Sequence, residues 1–160
     1  MSHFSTVECE FDIDHLDEMI AALEKEFKKG LVVYNEKGTD MYGYQGDNRS
    51  KLKSTSADYS PPCEVVVKKE YVGGSSNDVG FKLQPNGKFR AIVSEFDRGH
   101  NFGTARQNKV QVDYSEKVGE KTLKAKGFTE IERIKMDDGS IKLIGKQPKV
   151  AVGTVKLKNW

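Results

Sequence analysis

Val79-Gly80-Phe81-Lys82-Leu83-Gln84-Pro85-Asn86-Gly87-Lys88-Phe89-Arg90-Ala91-Ile92-Val93 is the stretch of this chain whose pattern is easiest to read. Val79, Phe81 and Leu83 recur at every second residue, and so do Phe89, Ala91 and Val93. A period of two puts each set on one face of a strand. Between the two runs lies Asn86-Gly87, the dipeptide favoured by a type I′ turn, whose two central residues both take positive φ. The stretch therefore predicts an antiparallel hairpin over Val79–Gln84 and Lys88–Phe96.

Upstream, Cys63–Val72 holds Glu64-Val65-Val66-Val67, a β-branched run suited to a pleated strand. Gly73-Gly74-Ser75-Ser76-Asn77 reads as the loop into the hairpin. Residues 47–62 are rich in Ser, Lys, Asp and Pro, with few apolar anchors. They read as an exposed, mobile loop that Pro61-Pro62 ends stiffly. Before it, Met41–Gln45 reads as a short strand, Asn35–Asp40 as a turn and Leu31–Tyr34 as another short strand. At the start, Val7, Cys9 and Phe11 alternate with Thr6, Glu8 and Glu10, which predicts a half-buried strand over residues 3–11. A helix follows, with Leu16, Met19, Ile20, Leu23 and Phe27 on one stripe. Asp14 is its expected N-cap, Asp17 and Glu18 suit its positive end, Lys28 and Lys29 its negative end, and Gly30 a left-handed cap.

Downstream, Asp97–Gly103 is a polar connection. Thr104–Lys126 repeats Val110, Tyr114 and Val118 at intervals of four, and predicts a second long helix capped by Gly127. Phe128–Met136 and Ser140–Lys146 flank Asp137-Asp138-Gly139 and predict another hairpin. Residues 150–157 add a last strand, with Gly153 as a bulge. Strand, helix, several strands, helix and hairpin in this order argue against a doubly wound parallel sheet. They predict an α+β fold: a single antiparallel sheet with two helices packed on one face. Residues 1–147 form one domain in this reading, and 148–160 a β-prone C-terminal extension that could pair along a sheet edge.

Composition bounds the function. With 160 residues, 31% charged and 36% hydrophobic, the chain can bury a core without disulfides or metal. It lacks an apolar run long enough to span a bilayer and a basic-then-apolar leader, so a cytoplasmic protein with no membrane association is expected. Cys9 and Cys63 are lone cysteines in unlike settings, which fits reduced thiols and neither a zinc nor a disulfide framework. Cys9 sits on the inward face, whereas Cys63, after two prolines, is expected to be more exposed. His3, His15 and His100 have no metal-ligand spacing, so no metal or cofactor is expected. Residues 1–30 carry three lysines against eight acidic residues, a net of −5; residues 117–160 carry ten lysines and Arg133 against five acids, a net of +6. Such asymmetry suits a nucleic-acid surface, head-to-tail association or solvated faces. Lys117, Lys121 and Lys124 share one side of the second helix, but few aromatic or arginine residues accompany them for base contacts.

One loop has the composition of a ligand site. In Gly43-Tyr44-Gln45-Gly46-Asp47-Asn48-Arg49, Gly43 and Gly46 permit close backbone approach and Tyr44 can stack on a ring. Gln45 and Asn48 can read polar edges, and Arg49 can pair with a phosphate or carboxylate. The competing reading is a glycine-rich turn whose tyrosine packs on the sheet. Arg98 and His100, in the connection after the first hairpin, are candidate neighbours. His100 could act as a general base, but no nucleophile is marked beside it. Gly73-Gly74 lacks the lysine and helix of a phosphate-binding loop.

The start Met1-Ser2-His3-Phe4-Ser5, the segments Gly43-Tyr44-Gln45-Gly46 and Asp78-Val79-Gly80-Phe81, and Gly127-Phe128 followed by Asp138-Gly139-Ser140-Ile141-Lys142-Leu143 form an ordered set. In order and spacing, over roughly residues 1–146, this set resembles the uncharacterised Ycf-thirty-five-like family, also catalogued as the domain of unknown function numbered twelve fifty-seven. Its members occur in chloroplast genomes, bacteria and phages. The loop at 47–62 and the tail after Gln147 depart from that pattern. The resemblance implies no catalytic residues. It implies an adaptor role, because bacterial members are associated with AAA-type ATPases, or an anti-defence role for a phage-encoded member.

The expectation is thus a non-enzymatic binding protein, self-associating, that sequesters a small polar or nucleotide-like ligand near Gly43–Arg49. A protein-interaction adaptor docking through its sheet edge or acidic first helix is the alternative, and a nucleic-acid-binding protein the third reading.

Overall fold

A computed structural model of the chain describes residues 3–27, 32–53, 55–138, 140–146 and 152–156. The fold is α+β. Strands β1 (Phe4–Asp12), β2 (Val32–Thr39), β3 (Cys63–Val67), β4 (Val79–Leu83) and β5 (Lys88–Ser94) form an antiparallel sheet in the order β1-β5-β4-β3-β2. The expected hairpin is its centre, with Phe81 opposite Ala91 and Leu83 opposite Phe89. Its turn is of a different type from the one predicted. Gly87 alone takes positive φ, at 84°, and the Gly87 N–H donates to Gln84 O at 3.0 Å. The loop is Pro85-Asn86-Gly87, a type I turn closed by one left-handed glycine. Pro85 fixes its own φ near −65°, which suits the second position of a type I turn and excludes the I′ form there.

Helix α1 (Leu16–Glu26) leads from β1, at one edge, towards β2, at the other. Asp14 does not cap it: the N-cap of α1 is His15, which makes no side-chain cap bond, and Asp12 caps the turn before it. The Asp12 carboxylate accepts from the Asp14 N–H at 2.9 Å and opens a 3₁₀ turn over Ile13–His15. The caps expected at Lys28–Gly30 lie outside the described residues. Two short helices, α2 (Lys69–Val72) and α3 (Glu95–Gly99), flank the hairpin. Helix α4 (Thr104–Ala125) matches its expected span, and Gly127 beyond it takes a φ of 90°. The helices cover one face of the sheet, where Phe11 meets Phe81 and Tyr114 edge-on, at 5.6 and 4.8 Å between ring centroids. Cys9 lies in this core, as its alternation predicts.

The single sheet needs correction. Strands β6 (Glu130–Lys135), β7 (Ile141–Lys146) and β8 (Val152–Lys156) form a second, three-stranded antiparallel sheet. Helix α4 is about 33 Å long at 1.5 Å per residue. Its later turns pass beyond the first core, and there Leu123 packs with Ile141, Leu143, Phe128 and Val155. The Met136 N–H to Ser140 O bond closes the hairpin between β6 and β7, while Gly139 in its turn is outside the described residues. Gly153 is no bulge: it lies in regular register opposite Gly145. A β-carbon at either glycine would fall within 2.8 Å of the Phe128 side chain, so the pair makes room for that ring.

The loop at 47–62 also departs from expectation. Its described part lies against the sheet face that the helices leave open. Met41, Arg49, Ser60 and Cys63 are all buried. Gly80 shows how closely this layer approaches: a β-carbon there would come within 2.5 Å of Met41 Sδ and 2.6 Å of Cys63 Sγ. Cys63 is therefore a second buried thiol, not an exposed one. The segment has few apolar anchors because polar groups hold it. Ser50 Oγ accepts from the Met41 N–H at 3.0 Å, and Arg49 O accepts from the Ser60 N–H at 3.2 Å.

Part of the charge on α1 is paired with α4, and Lys121 is the residue of the basic 117–160 segment that takes part. Glu18 on α1 meets Lys121 on α4 at 2.9 Å, Lys25 meets Asp113 at 3.3 Å, and Glu26 meets Arg106 at 3.0 Å and Lys109 at 3.3 Å. Burial pushes the Glu18 carboxyl up, but hydrogen bonds from Lys121 and from its own backbone N–H, with the charges of Lys121 and His15, outweigh it and hold the group below its usual value. No helix among the described residues is long and apolar enough to cross a membrane.

Candidate functional site

The site begins with a tight turn. Tyr42 and Asn48 form an isolated antiparallel bridge in place of the short strand expected over Met41–Gln45. Within it, the Gly43 N–H donates to Asp47 O and the Gly46 N–H to Gly43 O, both at 2.9 Å. Gly46 takes a φ of 83°. A β-carbon on Gly43 would lie 2.6 Å from Asp47 Oδ1, so the glycine lets the Asp47 carboxylate fold back over the turn.

Asn77 and Asp78 position this turn. Asp78 is buried, and its two oxygens accept from the Tyr42 N–H at 2.9 Å and the Lys69 N–H at 2.7 Å. Burial raises its carboxyl above the usual range, against those two bonds and the charges of Lys68 and Lys69. Asn77 Oδ1 accepts from the Tyr44 N–H at 2.9 Å. The Asn77 amide nitrogen donates to Ser94 Oγ at 2.9 Å and Asp97 Oδ2 at 3.3 Å. Ser94 Oγ in turn donates to Asp97 Oδ2 at 2.7 Å. Tyr42 is thus joined to Asp78 and Tyr44 to Asn77, across 36 and 33 residues of chain, which brings the motif segments 43–46 and 78–81 side by side.

A cavity of about 320 Å³ opens between the turn and this network. Tyr44, Gln45, Asp47 and Arg49 line one side; Ser75, Asn77 and Phe96 line the other. Tyr44 is 58% exposed, so it does not pack on the sheet as the competing reading supposed. Arg49 is 1% exposed. Its guanidinium lies 3.3 Å from Asp47 and 3.5 Å from Asp58, and 5.1 Å from the centroid of the Phe4 ring. It is already compensated by two carboxylates, which sets it apart from an open phosphate receptor.

The other expected residues separate. Asn48 is spent on structure: its Oδ1 accepts from the Ser50 N–H and its Nδ2 donates to Asp40, each at 3.0 Å. Arg98 lines a different cavity, beside Val7, Glu95, Thr104 and Gln107, and donates to Ser5 Oγ at 2.8 Å. His100 does not line the first cavity. It stacks on Phe96, which does, at 4.3 Å between ring centroids and 12° between planes. Asp47, Ser75, Asn77 and Phe96 were missed. Asp47 stands inside the quoted motif between residues chosen for their chemistry, whereas nothing in the local pattern marks Ser75, Asn77 or Phe96 as partners of a turn more than 25 residues away. Among the described residues no group of three or more His, Cys, Asp or Glu side chains is arranged to hold a metal ion. No protein-family model, curated protein or solved structure matches the chain.

Proposed function

We propose that this chain is a non-enzymatic binding protein that holds one small polar or nucleotide-like molecule in the cavity between residues 43–49 and 75–77. The observation that carries this reading is convergence. Tyr44, Gln45 and Arg49, singled out for their chemistry, line one cavity together with a second aromatic ring and a buried amide. Its volume lies at the small end of the roughly 300–1,000 Å³ typical of ligand pockets, which suits a molecule of nucleoside size. The adaptor reading through the acidic first helix has less support, because Glu18 and Glu26 are engaged by α4. The nucleic-acid reading loses part of its basic surface to the same pairs.

Native mass spectrometry of the protein from its expression host, followed by denaturation, tests the proposal. The expected result is a stoichiometric small molecule that co-purifies with the wild type and is lost in Tyr44→Ala, with the far-ultraviolet spectrum unchanged. A ligand-free protein whose melting temperature also fails to move with nucleosides, nucleotides or small amines would overturn it.

A further inference from the structure

The polar groups left open in the cavity narrow the class of ligand, on the premise that the cavity is a binding site. Asn77 has both side-chain N–H donors committed, to Ser94 and Asp97, and its oxygen already accepts from the Tyr44 N–H. Arg49 is packed between Asp47 and Asp58. Among the described residues no lysine lines the cavity. A di- or triphosphate would thus meet a guanidinium already neutralised, beside the half-exposed Asp47 carboxylate, and like charges in such a place repel. Asp47 is the one charged acceptor among the described residues of the wall. A carboxylate offers about four lone-pair sites, and Arg49 Nε approaches one of its two oxygens, Oδ2, at 3.3 Å. Tyr44 and Phe96 supply faces for a flat ring, and His100 stacked on Phe96 stiffens that wall.

We infer that the cavity takes a neutral nucleobase through N–H donors on its pairing edge, with Asp47 as the residue that reads them, and that phosphates, where present, stay outside. Two adjacent donors match the two oxygens of a carboxylate, so a guanine-type base fits best. Adenine and cytosine offer one amino group. Uracil fits worst, because its single N–H lies between two carbonyls that face the carboxylate unfavourably.

Calorimetry with the purified chain tests this, using guanosine, adenosine, cytidine, uridine, guanosine triphosphate and spermidine as probes. Guanosine is expected to bind most tightly and uridine least, with the triphosphate within about threefold of guanosine. Asp47→Asn is expected to weaken guanosine more than tenfold, the loss of about 1.4 kcal/mol or more, while its melting curve, lowered because Arg49 loses one of its two carboxylates, still shows a folded protein at the assay temperature. Tyr44→Leu, which leaves Asp47 in place, is expected to weaken all four nucleosides alike. Preference for the triphosphate by more than tenfold, or for spermidine, would overturn the inference and leave the cavity a binding site for another class. The same holds if guanosine binds equally well to folded Asp47→Asn. Binding of none of the probes would overturn the inference, and the co-purification experiment decides separately whether the cavity binds anything.

Discussion

The five-stranded sheet has two unlike faces. The helix face is an apolar core of rings and aliphatic chains from β1, β4, β5, α1 and α4. The opposite face carries a small cluster, Met41, Cys63, Val66 and Ile92, under a segment with almost no regular structure. Area and shape hold the first face together. Particular hydrogen bonds hold the second: the backbone N–H groups of Met41, Tyr44 and Tyr42 donate to the side chains of Ser50, Asn77 and Asp78. Directional bonds fix a turn without filling the space around it, and the candidate cavity lies on that side. The contrast assigns stability chiefly to one face and, under the proposed function, recognition to the other.

Truncation of the aromatic core should have the largest effect. Phe81 packs edge-on to Phe11 and Phe102, and Phe81→Ala should cost about 3–5 kcal/mol in urea unfolding. A loss below about 1 kcal/mol would remove the basis for calling the helix face the main core. Gly80→Val probes the other face. Its added methyls meet Met41 and Cys63, and overpacking of this kind costs about 1–3 kcal/mol. Ligand binding should suffer more than stability, since the displaced layer carries the Tyr42–Asn48 turn. Unchanged binding in a folded variant would uncouple the sheet from the site.

Acid should separate the faces by sign. Glu18 is held below its usual value, so its contribution is complete above its unfolded pKa of roughly 4 and disappears as pH falls through the lower folded one. Asp78 is raised, so it carries no penalty below roughly pH 4 and gains one as pH rises through its folded value. Between pH 3 and 7, Glu18→Gln should therefore flatten the rise of stability with pH, and Asp78→Asn should steepen it. Slopes that change in the same direction would contradict the assignment. The smallest effect concerns the thiols. Burial pushes both Cys9 and Cys63 up to about 12, so neither should react with a disulfide reagent at pH 8 in the native state. As urea rises, Cys63 should be labelled before Cys9. Simultaneous labelling would mean that the two faces open together.

The two faces also differ in how far they can be read. Val7, Cys9 and Phe11, the stripe Met19–Leu23, the paired runs of the hairpin and the span of α4 follow from periods of 2 and 3.6. These periods record which side of an element faces the core, so the helix face was open to inspection. The Gly43–Arg49 loop was legible by composition alone: Tyr44, Gln45 and Arg49 reached the cavity, and Asn48 did not. Arg98 and His100 were placed beside it only because their loop is polar, and the fold turns one to another cavity and the other behind Phe96.

By itself, the sequence determined the α+β class, most elements, the inward thiol of Cys9 and the glycine-rich turn, because each depends on neighbours within a few residues. Tertiary structure alone decided that the last strands form a second sheet, that residues around 41–60 roof the first, and that Asp47, Asn77 and Phe96 share a cavity with Tyr44. Those outcomes depend on contacts between residues tens of positions apart. Hydrogen bonds and close packing can fix such contacts without imposing any period on the chain, so no local pattern announces them.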